Sequence, residues 1–131
     1  MCTPPASEAA RQGSNYAEGA ILVVDVARAT RDPAYAVIGA VPAGCNPVRL
    51  VISRTGDIAY VSARTDTSLT VIDTTKMSNG DDAILGNVPA GVFPRELRVT
   101  ENQKTLLLTN FGSKTLAVFD IAQLPVESPR K

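Results

Sequence analysis

The chain has 131 residues, enough for one ordinary domain or for part of a larger one, and its 44% apolar and 20% charged content is globular rather than disordered. Thirteen basic and thirteen acidic side chains cancel, with no run of Lys or Arg, so nucleic acid and anionic membrane surfaces are poor partners. Histidine is absent, which removes the commonest general base, any Ser-His or Cys-His pair and the usual zinc ligand sets.

In chain order, residues 1–12 contain Pro4, Pro5, Glu8 and Arg11 without an apolar segment of signal-peptide type and read as a disordered tail. The compartment is open on this reading. The longest wholly apolar run, Ala20-Ile21-Leu22-Val23-Val24, is far too short to span a bilayer as a helix. Short runs rich in Val, Ile, Leu, Tyr and Thr then follow one another, each too short for a helix of ordinary length. They predict strands at 13–16, 20–26, 34–41, 47–53, 58–64, 68–74, 83–88, 94–100, 105–111 and 115–121. Turn chemistry separates them, as at Thr55-Gly56-Asp57, Ser78-Asn79-Gly80-Asp81 and Phe111-Gly112-Ser113. No helix longer than a turn or two is expected. Ile58-Ala59-Tyr60-Val61 and Leu106-Leu107-Leu108 are apolar at successive positions, so both faces of those strands must be covered by neighbouring sheets. Cys2 in the tail and Cys45 in an expected loop read as two unpaired thiols, with a single stapling disulfide as the alternative.

The strands belong to a repeat. Val41-Pro42-Ala43-Gly44 recurs as Val88-Pro89-Ala90-Gly91, an offset of 88 − 41 = 47. Held without a gap from 41–73 onto 88–120, that offset gives nine identities in thirty-three pairs, where average residue usage predicts about two. An earlier half-copy, Ile21-Leu22-Val23-Val24-Asp25, lies 73 − 25 = 48 residues before the middle one, so one residue has been gained or lost. Four antiparallel strands per unit of this length is the arithmetic of a propeller blade. The expected fold class is therefore all-β: a β-propeller fragment of four-stranded antiparallel blades. A remnant at 13–42, a blade at 43–89 and a third at 90–122 precede a C-terminal tail at 123–131.

Tyr60-Val61-Ser62-Ala63 followed by Thr70-Val71-Ile72-Asp73, and Leu107-Leu108-Thr109-Asn110 followed by Ala117-Val118-Phe119-Asp120, resemble the YVTN-repeat propellers, with Pro47 and Pro94 opening the first strands. The resemblance covers about residues 13–122. Ala63 stands where the pattern has Asn, and Leu107 where it has Tyr. It implies a binding or scaffold surface belonging to a larger propeller, with lactonase-like and quinoprotein-like seven-bladed propellers and WD-like repeats as relatives, often periplasmic or secreted. Two alternatives stay open: part of a lactonase-like hydrolase, and a short chain that oligomerises to complete a ring.

A residue recurring in every blade is more plausibly structural than catalytic, because a site is usually built once. Asp25, Asp73 and Asp120 close the third strand each time and are expected to accept N–H groups of the following turn. No catalytic residue, metal ligand or cofactor is assigned; Asn79, Asp81 and Asp82 read as an ordinary turn rather than a cation loop. Candidate binding residues are the non-repeating ones on inner strands and their loops: Asn46, Arg49, Arg64, Asp66, Phe93, Arg95 and Glu96. The expected partner is a protein or small molecule over the channel face, with self-association or further blades also expected because an incomplete ring leaves apolar faces open. Arg49 and Glu96, one repeat apart and of opposite charge, are expected to pair between blades. Connectivity places loops 43–47, 64–67, 90–95 and 112–114 on one edge of the sheets, and 54–57 and 75–82 on the opposite edge.

Overall fold

The computed structural model describes residues 18–125, and the expected strand at 13–16 lies outside them. Nine strands form three antiparallel sheets. The first sheet pairs β1 (Glu18–Val24) with β2 (Val37–Cys45). The second runs β3 (Pro47–Ile52), β4 (Ile58–Ala63), β5 (Ser68–Asp73) and β6 (Ile84–Pro89) in sequence order. The third is β7 (Pro94–Val99), β8 (Thr105–Asn110) and β9 (Thr115–Asp120). The protein is a β-propeller fragment, with the repeat of the sequence reproduced as sheets stacked face to face.

Strand bounds fall close to those expected, with one shift. The run read as a strand at 34–41 begins instead at Val37 and continues through Cys45. Residues 33–35 form a 3-10 turn opened by Pro33, whose fixed φ suits a helical start better than a ladder. Ahead of it lies α1 (Val26–Arg31), which the sequence reading left as a connection. Asp25 caps α1 by accepting the Arg28 N–H at 2.9 Å. Asp73 accepts the Thr75 N–H at 2.9 Å, and Asp120 accepts the Ala122 N–H at 3.0 Å. The repeated aspartates are thus turn acceptors, as their recurrence suggested. Residues 74–83 are 3-10 in two pieces, broken at Asn79 and at Gly80 with its positive φ of 59°. No continuous helix exceeds α1 in length among the described residues.

Two apolar clusters hold the stack. Val41 and Ala43 of β2 meet Ala59, Val61 and Ile72 of the middle sheet, with Ala83, Ile21, Met77 and Ile84 around them. Tyr60, Leu69, Val71 and Val88 of the middle sheet meet Leu106 and Leu108, flanked by Leu97, Val99 and Phe119. All of β4 from Ala59 to Ala63 is buried, so this strand is covered on both faces as its unbroken apolar run required. A fully buried Leu or Ile contributes about 1.5–3 kcal/mol, and Leu69, Ile72, Leu106 and Leu108 are all at 0% exposure. Burial, and after it the Asp57 charge, pushes the Tyr60 phenol above its ordinary pKa.

Cysteine usage departs from expectation. Cys45 is disulfide-bonded, so the reading of two unpaired thiols is overturned. The chain has one other cysteine, Cys2, which lies outside the described residues. Sequence could not decide this, because pairing depends on approach in three dimensions and not on composition.

Candidate functional site

Hydrogen bonds sort the loops into two edges. On the first, Arg64 donates its N–H to the Asn46 carbonyl at 2.8 Å and Phe111 donates to the Phe93 carbonyl at 2.9 Å. The loops before β3 and after β4 therefore meet, and so do the loops before β7 and after β8. The Ala90 N–H joins the two blades by bonding the Thr67 carbonyl at 2.7 Å. On the opposite edge, Thr74 donates to the Asp57 carbonyl at 2.9 Å, while Arg54 reaches the next blade through Gln103 Oε1 at 2.8 Å and the Glu101 carbonyl at 2.7 Å. This is the edge assignment that meander connectivity predicts.

Asn46 and Phe93, equivalent by 93 − 46 = 47, both adopt left-handed backbone, with φ of 56° and 58°. Such a φ is uncommon for a bulky side chain and costs of order 1–3 kcal/mol that the surroundings must supply. Around Asn46 the support is polar: its Nδ2 lies 3.3 Å from Thr65 Oγ1, and Asp66 Oδ2 accepts the Cys45 N–H at 3.0 Å. Around Phe93 it is aromatic and cationic. The Phe111 ring lies 5.5 Å away at a 54° tilt, and the Arg64 guanidinium sits 5.3 Å from the Phe93 ring centre. Ser113 Oγ accepts the Val92 N–H at 2.6 Å, as Asp66 does for Cys45 one repeat earlier.

Arg64 carries the least settled group of this edge. Its Nε is buried and has no hydrogen-bond partner among the described residues. Arg95 and Lys114 are exposed and make no side-chain ion pair there. Among the expected residues, Asn46, Arg64, Asp66 and Phe93 therefore gather at the loop edge. Arg49 and Glu96 instead lie on the neighbouring inner strands β3 and β7, where Arg49 Nε donates to Glu96 Oε1 at 2.7 Å, both side chains half exposed. Arg95 and Glu96 border a cleft of about 770 Å³ on the open side of the third sheet, together with Phe111, Lys114 and Leu116. Phe111 was missed as a participant, whereas Ser113 lies in the loop 112–114 that was expected on this edge. The signal was present in the repeat, since Phe111 occupies the position of Arg64 and Ser113 that of Asp66.

The hydroxyl-rich turn at Ser53, Thr55 and Asp57 lies on the other edge. The Thr55 hydroxyl, with that of Ser53 at 2.7 Å, holds Asp57 below the ordinary carboxylate range. The Thr75 hydroxyl at 2.6 Å, then its N–H, does the same for Asp73. Each carboxylate closes a turn.

The chain matches no protein-family model and no curated protein. Among solved structures it is similar to Kuenenia stuttgartiensis hydrazine synthase, a β-propeller-containing protein, at 24% identity and a TM-score of 0.54. The match covers 60% of this chain and only 21% of that one, so the likeness spans about a fifth of the neighbour and speaks for the fold alone.

Proposed function

We propose that this chain is a stretch of YVTN-type propeller whose loop edge is a recognition surface. The observation that carries the reading is the Arg64–Phe93–Phe111 group: an aromatic residue held in strained backbone, contacted by a second, tilted aromatic ring and by a cation whose Nε has no partner among the described residues. Strain of this kind collects where a surface is pre-organised, and aromatic and Arg residues dominate binding energetics at interfaces. Arg95 beside them and Asn46 one blade earlier complete a mixture of charged, hydrogen-bonding and apolar groups. No nucleophile–base pair is needed for such a role. The test is a displayed random-peptide library selected against the chain. Phe93→Ala with Arg95→Ala should abolish capture of the selected peptides while β content by circular dichroism stays unchanged. Substitutions at Lys76 and Ser78 on the opposite edge should leave capture intact. The reverse pattern would overturn the reading.

A further inference from the structure

A cavity of about 280 Å³ lies between the second and third sheets, on the edge opposite the recognition loops. The turn between β3 and β4, the turn between β7 and β8 and the segment after β9 all leave from this edge. Ile58, Val99 and Ile121 give the cavity apolar walls, and Tyr60 lines it from β4. Arg54 and Gln103 close one side by tying the blades together, through the Arg54 N–H on Gln103 Oε1 at 2.8 Å and the guanidinium on the Glu101 carbonyl at 2.7 Å. Two polar groups of the lining have capacity to spare. Tyr60 is only 3% exposed, yet its hydroxyl makes no hydrogen bond among the described residues. That hydroxyl is not sealed off either, since Arg64 Nε is the one fully buried side-chain atom there without a partner. Asp57 is the second group: the Ser53 and Thr55 hydroxyls both fall on its Oδ1, so Oδ2 keeps room for a further donor. Neither group recurs, because Lys104 and Leu107 stand 47 residues on from Asp57 and Tyr60. The pair is built once, as a site is and a structural repeat is not.

We infer that this cavity binds a small neutral alcohol with a single-ring apolar body, whose hydroxyl donates to the Asp57 carboxylate and accepts from the Tyr60 hydroxyl. Size sets the body: about 280 Å³ lies just under the roughly 300–1,000 Å³ of pockets for larger ligands. Chemistry sets the head group. A hydroxyl donates and accepts at once, and its bond to an ionised carboxylate is charge-assisted. Burial, and after it the Asp57 charge, keeps the Tyr60 phenol protonated and so able to donate. An ammonium group cannot accept from Tyr60 and meets the Arg54 cation, while a carboxylate meets Asp57. The ring lies against Ile58, Val99 and Ile121, where apolar surface is withdrawn from water. This inference goes beyond the loop-edge reading and stands without it, since the cavity lies on the other edge and shares no residue with that surface.

The probe is p-cresol, titrated into the full chain and followed by backbone amide shifts. Saturable shifts are expected at Ile58, Tyr60, Val99, Gln103 and Ile121. Toluene, which keeps the ring and lacks the hydroxyl, should bind at least about ten-fold more weakly, because it leaves both polar groups unpaired. Tyr60→Phe should weaken p-cresol binding by about two- to ten-fold and leave toluene binding unchanged, with its thermal transition checking that it folds. Asp57→Asn, on an exposed turn, gives a second reading and should also weaken p-cresol. Equal affinity for toluene, tighter binding of benzylamine, shifts gathered at Phe111 and Leu116 on the open face of the third sheet, or no shifts up to the solubility limit would each overturn the inference.

Discussion

The middle sheet and the last sheet carry the same Leu and Val at matching positions of their third strands and put them to opposite use. Leu69 and Val71 of β5 are at 0% and 2% exposure, whereas their equivalents Leu116 and Val118 of β9 stand at 58% and 64%. Sequence and local backbone are alike; what differs is whether a neighbour is stacked on that face. Burial in a stacked repeat is a property of the interface between units, and a unit's own pattern only prepares it.

Mutation sharpens the contrast. Leu69→Ala should cost about 2–5 kcal/mol in urea unfolding, because it opens a cavity between two sheets, while Leu116→Ala should stay within about 0.5 kcal/mol. Comparable losses at both sites would mean that the last sheet is covered in solution. Ser62→Ala should follow at about 1–3 kcal/mol, since it leaves the Arg95 carbonyl without its buried donor. Thr109→Ala, at the equivalent position, should be far milder, because Thr109 is exposed. The smallest effect belongs to Arg49→Ala, about 0.2–1 kcal/mol and declining with salt, since the pair with Glu96 is half exposed.

Titration separates the turns of one edge from the core. The pKa values of Asp57 and Asp73 are lowered in the fold, so their contribution is present above the ordinary aspartate value of about 3.9 and is lost as pH falls below it. The Tyr60 pKa is raised, so its contribution is present below about 10 and is lost as pH rises further. Urea midpoints across pH should therefore fall off at both ends. Tyr60→Phe should flatten only the alkaline limb, and Asp57→Asn should weaken only the acid one.

Much of this was legible from residue order. The offset of 47 located the strands and made Arg49 and Glu96 neighbours before any coordinate was known, because equivalent inner strands approach one another in stacked blades. The turn role of Asp25, Asp73 and Asp120 was readable from their recurrence. What could not be read depends on conformation rather than pattern. Phe93 does not announce a left-handed backbone, since glycine, or asparagine as at Asn46, is the residue that ordinarily marks one. The six residues of α1 are too few for a periodic signal, and only the cap at Asp25 hinted at them. Arg64 came into view as a partner of Phe93 only when two blades were placed side by side, and Phe111 only when the loops before β7 and after β8 met.

The odd residue between the first and second copies can now be located. Asp25 to Val37 spans 37 − 25 = 12 positions, and Asp73 to Ile84 spans 84 − 73 = 11, while the strands on either side keep step. Both blades even share the irregularity that sets Gly39 opposite Val23 and Gly86 opposite Val71. The whole difference in length is thus absorbed where one connection winds as α1 and a 3-10 turn and the other as two 3-10 pieces. For protein engineering this marks the connection between third and fourth strands as a splice point. An epitope or a metal-binding graft placed after Asp25 could be lengthened there while the ladders kept their pairing.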